Sequence, residues 1–116
     1  MEVKRGDIWL VNLDPTVGHE IKKSRPAVII QNDVGNKYSP ITIIAPVTSQ
    51  NLENIYPIEV LLNKENSGVD KDSKVLLNQI RAVDKQRLIK KIGVVDETAL
   101  EKVDDAIKIS LGLVEI

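Results

Sequence analysis

Apolar residues fall in short runs separated by turn-forming residues, and the period of the pattern changes once, near residue 96. Asp7 to Leu13 (DIWLVNL) reads as a first strand, ended by the turn sequence Asp14-Pro15-Thr16-Val17-Gly18. A polar loop from His19 to Arg25 follows. Pro26 then opens Ala27-Val28-Ile29-Ile30, a continuous apolar run suited to a strand buried on both faces. Asn32 to Pro40, rich in Asn, Asp, Gly and Ser, reads as a second loop. Ile41 to Val47 (ITIIAPV) predicts another strand. Pro46 cannot donate to a ladder, so the strand is expected to bulge or leave the sheet there, with Thr48-Ser49-Gln50 at its exit. Pro57–Leu62, Ser73–Asn78 and Gln79–Val83 read as shorter strands, with one more at Ile92–Val95. Beyond them, Leu100, Val103, Ile107, Leu111 and Val114 recur at spacings of 3, 4, 4 and 3, one apolar stripe on a helix. Asp96 suits its N-cap, and Glu97 suits the positive end of the helix dipole. The pattern predicts a mainly β domain with some helix: a curled antiparallel sheet closed by a C-terminal amphipathic helix.

Length and composition narrow the function classes. At 116 residues the chain is read as one domain, 1–116, long enough to bury a core without staples. The apolar content is almost all aliphatic, with no Phe, one Trp and two Tyr, which favours strands. There is no cysteine, so disulfides, thiol catalysis and cysteine-based zinc sites are excluded, and the lone His19 cannot build a multi-histidine metal site. No metal and no cofactor are expected. No apolar run approaches the roughly 20 residues of a membrane span, and the first residues lack the apolar centre of a signal peptide. The expectation is a cytoplasmic protein with no membrane partner. Net charge is −1, so any nucleic-acid site must arise by local segregation of charge. Residues 81–91 (RAVDKQRLIKK) carry two Arg and three Lys against one Asp, and residues 96–105 carry five acids against one Lys. Taken singly, such blocks are more often solvated faces than binding sites.

Several ordered segments resemble one family. Lys4-Arg5-Gly6-Asp7-Ile8-Trp9, Asp14-Pro15 with Gly18-x-Glu20, and Arg25-Pro26-Ala27-Val28-Ile29-Ile30-Gln31-Asn32-Asp33 resemble the opening of MazF/PemK toxins. Pro46-Val47-Thr48, Leu76-Leu77-Asn78-Gln79-Ile80-Arg81 and Asp84-Lys85-x-Arg87-Leu88 follow in the same order. The stretch from Lys102 to Leu111 resembles the final helix of Gram-positive members. No single piece is specific; the ordered set, spanning essentially the whole chain, is. The resemblance implies an SH3-like small barrel and a homodimer. It further implies a toxin of a type II toxin–antitoxin system that cleaves single-stranded mRNA at short motifs, restrained by a cognate antitoxin with an acidic amphipathic tail. Arg25 and Thr48 match the family's catalytic pair.

Such chemistry suits these residue types. RNA carries its own nucleophile, and aligning the 2′-OH with the scissile phosphate is worth about 7–11 kcal/mol. The expected products are a 2′,3′-cyclic phosphate and a 5′-OH, formed without a metal ion. Arg25 offers a permanent charge and a planar fork matching two phosphate oxygens. With a pKa above about 12 it is a poor base, so charge stabilisation is the expected role. Thr48 can hydrogen-bond a phosphoryl oxygen or the 2′-OH. Against these readings stand ordinary alternatives: a surface salt bridge for Arg25 and a strand-end threonine for Thr48. Glu20 can orient RNA or accept a proton, and His19 is a loop residue able to touch substrate. Gly18, His19, Glu20, Lys22, Lys23, Gln50, Asn78, Gln79, Arg81 and Arg87 are the expected RNA contacts, reading splayed bases and phosphates. Asp70-Lys71-Asp72 reads as a solvated turn. Lys22-Lys23 replaces a glycine-rich pair of some members, and Asn78 stands where several carry an acid, so the cleaved motif is expected to differ. Two rivals remain: a gyrase-poisoning toxin of the same fold, disfavoured by the ending Leu113-Val114-Glu115-Ile116, and a non-catalytic SH3-like RNA- or protein-binding module.

Overall fold

The computed structural model describes residues 1–21 and 23–116. Seven antiparallel strands and three helices follow one another as β1 (Asp7–Asn12), β2 (Ser24–Ile29), α1 (Asp33–Tyr38), β3 (Ile41–Thr48), β4 (Glu59–Leu62), α2 (Lys64–Ser67), β5 (Ser73–Leu76), β6 (Arg81–Asp84), β7 (Leu88–Val94) and α3 (Glu97–Ser110). A 3-10 turn, Lys85–Arg87, joins β6 to β7. The strands form one curled sheet in the order β4-β5-β3-β2-β1-β7, with β6 branching from β3.

β3 is the hub. One of its edges pairs with β2, and the other is divided: Ile41–Ile44 face β6, whereas Val47 and Thr48 face β5. Pro46 lies between those two partners and pairs with Ala27 of β2. Contrary to the expectation drawn from its missing N–H, it neither bulges nor leaves the sheet; the divided edge asks for no ladder bond there.

Alternation along the strands builds two cores. Ile8, Val28, Ala45, Val47, Val75 and Leu77 join Val103 and Ala106 of α3. Trp9, Val11, Ala27, Ile29, Ile44, Val83 and Leu88 pack together on the opposite face. Both faces of β1–β3 are therefore covered, which is why their sequences are nearly unbroken apolar runs. α3 starts as the sequence predicts, with the Asp96 carboxylate accepting from Ala99 N–H at 2.8 Å. It ends at Ser110, so Leu111 and Val114 of the predicted stripe lie beyond it, exposed. Fully burying Val103 contributes about 1.5–3 kcal/mol towards docking this helix.

Three expectations are corrected. Asn32–Pro40 is not simply a loop: Asn32 caps the short helix α1 by accepting from Gly35 N–H at 2.8 Å. β2 starts at Ser24, which puts Arg25 on a strand, and β7 starts at Leu88, several residues before the predicted Ile92. Among the described residues β4 and β7 share no ladder, so the barrel is open. It closes instead by backbone contact. The turn after α2 rests against β7 so tightly that a Cβ on Gly93 would lie 1.7 Å from Ser67 O, and one on Gly68 2.3 Å from Ile92 O. Gly68, at φ +88, is also the left-handed C-cap of α2.

Candidate active site

Arg25 pairs with Val11 of β1, and Ala27 pairs with Pro46 of β3. The β2–β3 ladder ends at Ala27–Pro46, two residues short of both Arg25 and Thr48, so these two lie just beyond its end on adjacent strands. Thr48 pairs in turn with Lys74 of β5. Val11 thus stands beside Arg25, and Thr48 beside Lys74, on neighbouring strand pairs. Arg25 and Thr48 are both half-buried. The Thr48 hydroxyl accepts from Gln50 N–H at 3.2 Å, a local turn that fixes its rotamer as the chain leaves the strand.

Two clefts open near these residues. Arg25 and Ser49 stand on the rim of one, of about 410 Å³, over an apolar floor that includes Val47 and Val69, with Lys71 and Lys90 beside them. The second, about 400 Å³, is lined by His19, Glu20, Ile21 and Asn78–Arg81. The Gln79 side chain accepts from Ile21 N–H at 2.8 Å and so fastens the β1–β2 loop to the β5–β6 turn. Glu20 accepts from Val17 N–H at 2.5 Å, which engages its carboxylate in that loop's own turn. At the root of the loop Lys23 takes φ +71, held by its N–H to Asp14 Oδ1 at 3.0 Å and its carbonyl to Leu13 N–H. Gly18, at φ +57, is exposed at the loop tip. Lys22 lies outside the described residues.

The basic block does not form one face. Arg81 donates to Leu13 O at 3.1 Å, and Arg87 donates to the carbonyls of Asn12 and Asp14. Both guanidinium groups brace the end of β1. Lys85 donates to Asn36 O, and Lys91 pairs with the buried Asp7 at 3.2 Å. Of the acidic block, Asp96 caps α3 and Asp104 pairs with Arg5 at 2.6 Å. Arg5 also donates from its backbone to Asp33, and that bond holds the Asp33 carboxyl below the usual aspartate range. Among the described residues no group of three or more His, Asp and Glu side chains is arranged to hold a metal ion.

Residues 4–111 match the PemK-like, MazF-like toxins of type II toxin–antitoxin systems. The chain belongs to this family. Endoribonuclease EndoA of Bacillus subtilis (strain 168) is 44% identical over 115 residues, 99% of each chain. A crystal structure of MazF from Deinococcus radiodurans shares the fold with a TM-score of 0.82 at 25% identity, over 97% of this chain and 98% of that one. A mycobacterial endoribonuclease in complex with its cognate antitoxin superposes with a TM-score of 0.81 at 18% identity, over 98% of this chain and 99% of that one.

Within this toxin fold the sequence misses Lys74, buried in the same row as Thr48. Its ammonium donates at 3.0 Å to each of Asn51 O, Asn54 O and Glu59 Oε1. The available signal is a lysine between Ser73 and Val75, in a strand buried at every position. Asp70 and Lys71, read as solvated, are exposed but line the cleft beside Arg25, and Asp72 accepts from Lys64 N–H at 3.0 Å.

Proposed function

We propose that this toxin is an endoribonuclease that cuts single-stranded mRNA at a short motif, by attack of the 2′-OH on the adjacent phosphate. The presence of Arg25 on β2 and Thr48 at the end of its paired neighbour β3, just beyond their shared ladder, supports the reading. In-line attack needs the phosphate held and its growing negative charge met. Arg25 meets that charge with two parallel N–H donors, and a preorganised donor of this kind is worth about 10²–10³ in rate. The Thr48 hydroxyl, one lone pair occupied by Gln50 N–H, keeps its own proton for a phosphoryl oxygen. Together they orient the phosphodiester so that the 2′-OH displaces the 5′-oxygen. The products are a 2′,3′-cyclic phosphate and a 5′-OH, and no metal ion takes part. The donor set, one histidine and no cysteine, argues against a zinc-type centre.

The cleft of His19, Glu20, Asn78 and Gln79 is suited to splayed bases, with Gly18 supplying backbone freedom in the adjoining loop, and Lys22, Lys23 and Gln50 are carried as further RNA contacts on the family resemblance alone. The toxin acts in the cytoplasm as a homodimer, whose joined grooves attract RNA and the acidic amphipathic tail of an antitoxin. The likeness to the mycobacterial toxin–antitoxin complex supports the partner.

The test incubates the purified toxin with a defined transcript in excess EDTA and maps the 5′ ends. Cleavage at a recurrent short motif with 5′-OH termini is expected. Arg25→Ala and Thr48→Ala should fold normally and lose cutting. Intact RNA that is nonetheless retained by the protein would instead show a binding module.

A further inference from the structure

The β3–β4 connection, from Ser49 to Ile58, begins at the residue after Thr48 and carries mostly exposed side chains. A loop of this kind ordinarily moves freely. Here it is tied down from beneath. Lys74 is only 4% exposed, and its ammonium reaches up from β5 to the carbonyls of Asn51 and Asn54 and to the Glu59 carboxylate. All three donors are thereby used, so the buried charge is satisfied. The Tyr56 ring centroid lies 5.9 Å from the same nitrogen. Glu59 pairs with it at 3.0 Å, its own side chain 9% exposed.

The anchored carbonyl is close to Thr48 along the chain. Asn51 follows directly after the turn in which Gln50 N–H donates to Thr48 Oγ, and it takes the left-handed conformation at φ +55. That conformation ends the strand direction and is held by the Lys74 bond. From the other side, Lys74 is the strand partner of Thr48 itself. The ladder bond is made by the Lys74 backbone and would survive any substitution there, whereas the first turn of the loop is held by its side chain.

We propose that Lys74, neutralised by Glu59, is a positioning residue for the cleavage reaction, a buried clamp that sets the Thr48 hydroxyl against the scissile phosphate. This rests on the ribonuclease reading above. Its charge does not meet the substrate; it acts by holding the Thr48–Asn54 backbone in one conformation. Because alignment of reacting groups is at stake, the effect belongs in turnover rather than in affinity. A displacement of about 1 Å in such a site costs about 10²-fold in rate.

The experiment compares wild type, Lys74→Met and the double variant Lys74→Met/Glu59→Met on a single-stranded RNA oligonucleotide containing the mapped cleavage motif. The single variant strands a buried carboxylate and can fail to fold. The double variant replaces the pair by apolar side chains of similar volume, an exchange that proteins commonly tolerate. In the folded double variant kcat should fall about 10- to 100-fold while KM stays within about threefold. Amide hydrogen exchange over residues 49–56 should quicken, a readout that does not depend on cleavage. A folded double variant with wild-type kcat, or one in which only KM rises, overturns the clamp. A wild-type protein that leaves the RNA intact overturns the ribonuclease reading, and the clamp with it. Cutting by wild type beside an unaltered variant refutes the clamp alone.

Discussion

The contact between the α2 turn and β7 replaces the missing ladder between the sheet's end strands, and Gly93→Ala tests it. A Cβ at Gly93 would stand 1.7 Å from Ser67 O, and the atom it meets is backbone, not a side chain that can swing aside. Reaching 3.0 Å, below which Cβ contacts essentially do not occur, requires the two chains to separate by about 1.3 Å. Overpacking of this sort costs about 1–3 kcal/mol, and rigid backbone on both sides puts this case at the upper end, about 3 kcal/mol. For a chain of this size each kcal/mol corresponds to about 3–6 °C, so Tm should fall by about 10–15 °C. The assay is thermal unfolding by circular dichroism at fixed protein concentration, because self-association of any kind makes Tm depend on it. Gly112→Ala is the control. Gly112 has φ +73 with nothing within 4 Å of the built Cβ, so it reports conformational strain without a clash. A Gly93→Ala protein that melts within about 2 °C of wild type, or no lower than the control, would refute the idea that this seam closes the barrel.

Three further outcomes follow from the geometry. Gln79→Leu removes the acceptor for Ile21 N–H and frees the β1–β2 loop; KM for RNA should rise about 5- to 10-fold in steady-state cleavage, on the scale of one lost hydrogen bond. The lowered Asp33 pKa makes that carboxylate a source of stability that is complete above the unfolded value, about 3.8, and is lost as pH falls through the folded value. Urea unfolding of Asp33→Asn should therefore differ from wild type at pH 7 and converge with it at acid pH. Arg25→Lys keeps the charge but not the two-donor fork, and should cut at least 10-fold more slowly, measured by single-turnover kinetics.

The elements legible in the sequence were those whose pattern is enforced by burial. β1, the body of β3 and α3 follow from alternation and a helical stripe, and Asp96 announces its cap. α1 was hidden because no apolar stripe drives it. It stands on Asn36, whose side chain accepts from Thr42 Oγ1 at 2.7 Å and donates to Gln31 O at 2.9 Å, so polar partners decide a segment that composition assigns to loop. The lower end of the sheet was misread at Pro46 because a single strand shows its missing donor but not whether a neighbour asks for one. For the candidate site, Arg25 and Thr48 were readable as residue types in an ordered motif; that they stand on paired strands is a matter of register, which no local pattern states. The arginines and lysines of 81–91 illustrate the same limit. Their charges were visible, but whether each met solvent, RNA or a main-chain carbonyl depended on residues about 50 to 75 positions away.

The divided edge of β3 also orders events at the ribosome. The strand is made early, yet its second edge stays bare until residues 73–84 have emerged, and β1 waits for β7 to reach Val94. At about 5–20 residues per second, the interval between synthesis of Thr48 and arrival of its β5 neighbour lasts a few seconds. The edge of β3 that carries Thr48 is thus without its β5 neighbour until residues 73–76 have been made.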